Sequence, residues 1–253
     1  MKPSMNQPCG PTHDEIEALQ LTCDRLRQQV QFQSAFLGTA SHELRAPINQ
    51  IISLHQLILE DLCESPAEER EFIAQANQAM VTVLRNLDTL ISVSKLEIGA
   101  IRPQWQPVQL GPLLAAVQQL TEMKCVNRQC RLTVAAVDPA VMVQTDGQWL
   151  QQLLIILIDA ALGTGSQQIN IYLDTAAPDI VTLYLDCDCP LAHGQDPELG
   201  SSPAATGEAI PLSPSFSYQI AARMATQIQA ALRQESSADQ NTSQIVLGLP
   251  KAE

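Results

Sequence analysis

His42 and Glu43 stand side by side in the run Phe36-Leu37-Gly38-Thr39-Ala40-Ser41-His42-Glu43-Leu44-Arg45-Ala46-Pro47-Ile48-Asn49. An imidazole is nucleophilic at cellular pH. The carboxylate of Glu43 can accept the proton from one ring nitrogen, which leaves the other free to attack a phosphoryl group. The pair is thus a candidate phosphoacceptor and its general base, and Asn49, farther along, is a candidate for polar support. Cys187 and Cys189, followed by His193, have the spacing of half a metal site. The seven cysteines do not form two spaced pairs, so they are expected to be free thiols in a reducing compartment, with no metal centre.

The histidine must be held by a helix. From Ile16 an apolar seam recurs at alternating steps of three and four through Leu19, Cys23, Leu26, Val30, Leu37, Ala40, Leu44, Ile51, Leu54 and Ile58, interrupted at Gln33 and Pro47. This is the heptad pattern of a long helix that seeks a partner. Leu37, Ala40 and Leu44 take the seam, which turns His42 toward solvent. Pro47 removes a backbone donor one turn later and is expected to bend the helix at a cost of about 3 kcal/mol.

Ser65 can cap a second helix with Pro66 at its first position. That helix is predicted from about Ala67 to Ile98, with Phe72, Ala76, Ala79, Val83, Leu87 and Leu90 on one face. Two antiparallel helices leave much of their apolar surface open unless a second copy closes a four-helix bundle. The alternative is a hairpin packed on its own C-terminal domain.

Beyond Gly99 the texture changes. Pro103, Trp105 and Pro107 read as a linker, Pro112 to Met123 as a helix, Arg131 to Val137 as a strand and Gly147 to Leu162 as a buried helix. Ile169 to Leu173 and Ile180 to Leu185 alternate as strands do. A loop is expected from Asp188 to Pro214, then a helix from Ser217 to Arg233 and a closing strand from Ser243 to Leu249. The expected architecture is an α+β sandwich with its helices on one face of a sheet. The divisions are a disordered stretch 1–13, a helical domain 14–101 and a sandwich domain 102–253.

A net charge of −13 sets this chain against nucleic acid and anionic membranes and favours a protein partner. The longest apolar run, Leu153 to Ile158, falls short of the ~20 residues that span a bilayer. With no signal-peptide core at the N-terminus, the expectation is a cytoplasmic protein without a membrane span.

The run from Ser41 to Asn49 resembles the H-box of sensor histidine kinases, with Phe36 in its usual place. Ser94-Lys95-Leu96-Glu97-Ile98-Gly99 looks like the end of the family's second dimerisation helix, Gln106-Pro107-Val108-Gln109-Leu110 like the start of its ATPase-type domain, and Asp146 to Leu154 like the helix leading into the N-box. With Ser243 to Pro250 similar to the final strand, the resemblance covers residues 14 to 250. It implies a dimer, or a heterodimer with another histidine kinase, in which His42 passes phosphate to the aspartate of a response regulator receiver domain.

The nucleotide motifs depart from that pattern. The magnesium-binding asparagine positions fall on Ile156 and Ala160, although a one-residue slip would offer Asp159. Asp186 in Asp186-Cys187-Asp188-Cys189-Pro190 matches the residue that receives the adenine amino group, but Asp188 and Pro190 replace glycines. Ser213 to Ile220 carries serine where the second glycine motif is expected. Ala46 replaces the threonine or asparagine of members with phosphatase activity. The resemblance therefore implies a degenerate ATP and magnesium site, with Asp186 and Asp159 its remaining candidates. Three readings follow: a phosphorelay protein fed by another kinase, a non-catalytic pseudokinase adaptor for a kinase or response regulator, and a ligand or redox sensor using the emptied cleft or Cys187 and Cys189.

Overall fold

The computed structural model describes residues 13–97, 100–189, 212–236 and 242–252. His193, most of the loop expected from Asp188 to Pro214, the N-terminal stretch 1–12 and the side chains of Ile16, Leu19, Cys23, Leu26 and Val30 lie outside the described residues. Compactness divides the chain into Met1–Glu43 and Leu44–Glu253. The first unit, where described, is the leading part of helix α1 (His13–Leu59). Pro47 lies inside α1 without ending it, and its ring is buried.

In the second unit, the remainder of α1 stops at a left-handed residue, Asp61 at φ 52, after which the Leu62 N–H donates to the Leu57 carbonyl at 3.0 Å. This is the six-to-one bond of a Schellman cap. Helix α2 (Pro66–Glu97) starts where the sequence places it. Ser65 Oγ accepts from the Glu68 N–H at 3.2 Å, and the Glu68 carboxylate accepts from the Glu64 N–H at 2.6 Å. Ile51 and Leu54 of α1 pack with Ala76, Ala79 and Val83 of α2, and Leu44 and Phe72 lie partly buried against them.

The α2 seam differs from the apolar pattern at one step. Leu87 is 38% exposed, whereas Asn86 is only 7% exposed. The buried set includes Ala76, Ala79, Thr82, Val83, Asn86, Leu90 and Val93, so helical spacing has overridden polarity at Thr82 and Asn86. Leu37, expected in the α1 seam, is exposed.

The C-terminal part is built on a five-stranded sheet. Strand β1 (Gln106–Gln109) pairs antiparallel with β3 (Met142–Thr145) as a separate two-stranded ribbon. The stretch read as a linker thus holds a strand, and β3 was not predicted, because four residues are too few to show alternation. Helix α3 (Leu110–Asn127) leads to β2 (Arg131–Val134), which stops three residues before the predicted Val137. Helix α4 (Gly147–Gly163), β4 (Gln168–Asp174), β5 (Ile180–Cys187), α5 (Pro214–Gln227), β6 (Ala231–Ser236) and β7 (Ser243–Pro250) complete the order β2-β4-β5-β7-β6. Only β2 and β4 run parallel; the other neighbours are antiparallel.

The helix predicted to reach Arg233 ends at Gln227, and Ala231 onward is strand. The cause is a second Schellman cap: Gln229 sits at φ 53 and the Ala230 N–H donates to the Ala225 carbonyl at 2.8 Å. One face of the sheet is apolar, with Ile169, Ile171, Val181, Leu183, Leu185, Ile245, Leu247 and Leu249 all essentially inaccessible. They meet Leu150, Leu153, Leu154, Leu157 and Ile158 of α4 and Phe216, Ile220 and Met224 of α5, also fully buried. Each such side chain contributes roughly 1.5–3 kcal/mol by leaving water, which makes this two-layer core the platform for everything the domain presents.

Candidate functional site

His42 lies in α1 with its side chain exposed, beside half-buried Glu43 and two residues after buried Ala40. Ser41 Oγ donates to the Leu37 carbonyl one turn back at 2.7 Å. A ring with solvent access on a helix can receive a phosphoryl group without disturbing a core. Ala46, four residues on, offers no polar group to orient a water. Asn49 is exposed on the same helix.

The two carboxylates singled out for a nucleotide site are not brought together. Asp159, half-buried on α4, is gripped by Lys124 of α3, whose Nζ donates to both carboxylate oxygens at 2.8 and 2.7 Å. Lys124 was missed in the sequence because the ion pair joins residues 35 apart. Asp186 follows buried Leu185 and precedes buried Cys187 in β5, so strand alternation turns it to the opposite face of the sheet from the core. There it pairs across the ladder with Asn170 and Gln244. Gln244 Nε2 donates to Asp186 Oδ1 at 2.8 Å and to the Tyr172 hydroxyl oxygen at 2.9 Å, and Tyr172 stacks on Tyr184 with ring centroids 5.0 Å apart. Burial and then the charge of Asp186 raise the Tyr172 pKa. Alternation alone could have located this network, had the strand been read residue by residue.

The two positions onto which the resemblance places magnesium-binding side chains are buried apolar residues. Ile156 is 6% and Ala160 1% exposed. At the far end of α4, a methyl placed on Gly163 would meet the Pro214 ring at 3.4 Å, so α5 begins in close contact with α4. Ser213 is spent as the N-cap of α5, its Oγ accepting from the Phe216 N–H at 3.4 Å. Asp188, in place of a glycine, accepts from the Gln167 N–H at 3.0 Å. An open depression of about 500 Å³ lies beside it, lined by Gln168, Asn170, Asp186, Asp188, Glu235 and Gln244. Three carboxylates, Asp186, Asp188 and Glu235, make this rim negative and disfavour an anion there.

Cys187 is buried and Cys189 half-buried, both as free thiols. Burial, with Asp186 and Asp188 beside it, pushes Cys187 up to about 12. Among the described residues no group of three or more His, Cys, Asp or Glu side chains could hold a metal ion. No helix of the described residues is long and apolar enough to cross a membrane.

Residues 32–99 match the His Kinase A (phospho-acceptor) domain. The chain is 29% identical over 140 residues to the aerobic respiration control sensor protein ArcB of Escherichia coli, a match covering 55% of this chain and 18% of ArcB. Its fold is similar to that of the Acinetobacter baumannii histidine kinase AdeS, with a TM-score of 0.59 at 17% identity, covering 84% of this chain and 98% of that one. A second neighbour is histidine kinase ThkA, solved in complex with response regulator protein TrrA, with a TM-score of 0.57 at 19% identity over 89% of this chain and 64% of that one.

Proposed function

Because this chain belongs to the sensor histidine kinase family, we propose that it carries phosphate on His42 and hands it to a response regulator, while its own nucleotide site no longer supplies that phosphate. The observation that carries the reading is the contrast between an exposed His42 beside Glu43 and the buried Ile156 and Ala160 where cation-binding side chains are needed. Glu43 acts as the base for the ring. The phosphoryl group comes from another histidine kinase in a mixed bundle, or back from a phosphorylated regulator. That a histidine kinase of similar fold is known in complex with a response regulator supports a receiver domain as the partner.

Pairing of two copies is supported by the apolar side chains that the hairpin leaves exposed, among them Ile48, Ile52, Ile73, Leu84, Leu87 and Ile91. We retain 14–101 as the dimerisation and phosphoacceptor domain and 102–253 as the degenerate ATPase-like domain, in a cytoplasmic protein. Asp159, neutralised by Lys124, and Asp186, turned away from α4, do not make a magnesium and adenine site between them.

The test is labelled ATP with the purified chain, first alone and then with an active histidine kinase. The expected result is no label alone, and acid-labile label with the kinase that His42→Gln removes. Label on the chain alone would refute the loss of the nucleotide site. No label in either arm would favour the second reading, a pseudokinase adaptor, which the apolar filling at Ile156 and Ala160 also supports. Under that reading His42→Gln leaves partner binding intact and surface changes around Leu44 and Ile48 abolish it.

A further inference from the structure

Among the described residues, four helix ends share one cap. After α1, α3, α4 and α5 a residue at positive φ (Asp61, Gln129, Gly165, Gln229) is followed by a residue whose N–H donates to a carbonyl five positions back. In this motif the side chains at the two ends of that bond are brought into contact, which is why they are commonly apolar. At α1 the pair is Leu57 and Leu62, at α4 Ala161 and Ser166, at α5 Ala225 and Ala230. At α3 it is Cys125 and Cys130, joined through the Cys130 N–H to the Cys125 carbonyl at 2.8 Å, with the Gln129 N–H on the Val126 carbonyl at 3.1 Å.

Both thiols are buried, at 4% and 8% exposed, and each acts on the other's pKa. The cap ties the two residues together through their backbones at 2.8 Å, and an intramolecular disulfide needs neighbouring Cα atoms of this kind. Both side chains line an open groove of about 370 Å³ between α3 and β2, together with Gln118, Glu122, Val126 and Leu132. The pair is therefore shielded from bulk solvent yet approachable by a small molecule.

We propose that Cys125 and Cys130 form a dithiol modification site that a disulfide oxidant of the glutathione class converts to an intramolecular disulfide, stapling the end of α3 to the start of β2. Cys125 attacks first. Both thiols are raised by burial; at Cys125 the Thr121 hydroxyl and Lys124 work against burial while Asp159 adds to it, whereas Cys130 meets only influences that raise it, to about 11. The Cys125 thiolate attacks one sulfur of oxidised glutathione and expels one glutathione thiolate, giving a mixed disulfide. Cys130 then displaces the second glutathione. Two protein S–H bonds and one S–S bond break, one protein S–S bond forms, and both protons end on glutathione, which is reduced by the two electrons the protein loses. Cys187 and Asp188 are electrostatic neighbours of Cys130, but the proposed bond joins only Cys125 and Cys130 and is independent of phosphate chemistry at His42.

The test is incubation of the reduced full-length chain with oxidised glutathione, followed by alkylation of remaining thiols and peptide mass mapping. The expected product is a Cys125–Cys130 disulfide, with Cys63 carrying at most a glutathione adduct, formed at a rate that rises roughly tenfold per pH unit as thiolate becomes available. Cys130→Ala is expected to trap a glutathione adduct on Cys125, and Cys125→Ala to leave Cys130 largely unmodified. Free, alkylatable Cys125 and Cys130 after oxidation of the wild-type chain, with circular dichroism showing it folded, would overturn the proposal. So would equal adduct formation on both single variants.

Discussion

Asp146 is a single side chain on which the placement of α4 depends. It is 7% exposed and caps the helix, with Oδ1 accepting from the Gln148 N–H at 3.0 Å and the Trp149 N–H at 3.2 Å, while Oδ2 accepts from the Gln104 N–H at 2.7 Å. Asp146→Ala removes all three bonds and a carboxylate at the positive end of a helix. Loss of the cap costs about 1–2 kcal/mol, and the partly buried Gln104 N–H adds about 1 kcal/mol. The total of about 2–3 kcal/mol corresponds to a fall in Tm of roughly 4–12 °C for a chain of this size. Asp146→Asn keeps one oxygen for the helix N–H groups but points an amide N–H at the Gln104 donor, so about 1 kcal/mol is expected. Urea titration followed by tryptophan fluorescence reads the change directly, since Trp149 is one of only two tryptophans and takes part in the cap. An alanine variant within about 0.5 kcal/mol of wild type, or an asparagine variant as damaged as the alanine one, would show that the cap does not hold α4.

The buried Asn86 Nδ2 has no hydrogen-bond partner; Asn86→Leu is expected to stabilise the hairpin by about 1 kcal/mol in thermal unfolding, since it removes an unsatisfied donor from the seam. Cys187, pushed up to about 12 by burial and by Asp186 and Asp188, keeps its proton in the folded state where the unfolded thiol has lost it. Its contribution is therefore complete below about pH 8.5 and declines as pH rises toward 12, and a Cys187→Ala variant is expected to show a shallower alkaline loss of stability in urea titrations across that range. Asp159→Asn breaks a half-exposed ion pair with Lys124 and is expected to cost no more than about 1 kcal/mol by urea titration. A larger loss would mean that the pair, rather than the apolar core, anchors α3 to α4.

The features carried by local pattern were legible in the sequence. The hairpin followed from heptad spacing, the start of α2 from Ser65 and Pro66, and the outward His42 from its neighbours Ala40 and Leu44. Legibility ended where a residue acts through position instead of type. Asn86 is buried by helical geometry although an apolar rule selects Leu87. Gln229 ends α5 in a conformation usually marked by glycine, and without that marker the helix reads on into β6. Asp186 fits a motif by name, but its use depends on which face of β5 it occupies. Asp159 reads as a free carboxylate until a lysine 35 residues away is brought beside it.

The orientation of Asp186 is a matter of register rather than of rotamer. No side-chain rearrangement can carry it through the sheet to the α4 side; β5 would have to slide by one residue against both β4 and β7, with which it pairs along its length. Such a slide would push Val181, Leu183 and Leu185 into water and draw Thr182 and Tyr184 inward. Insertions and deletions near the ends of β5 can therefore alter what Asp186 faces, whereas point substitutions within the strand cannot.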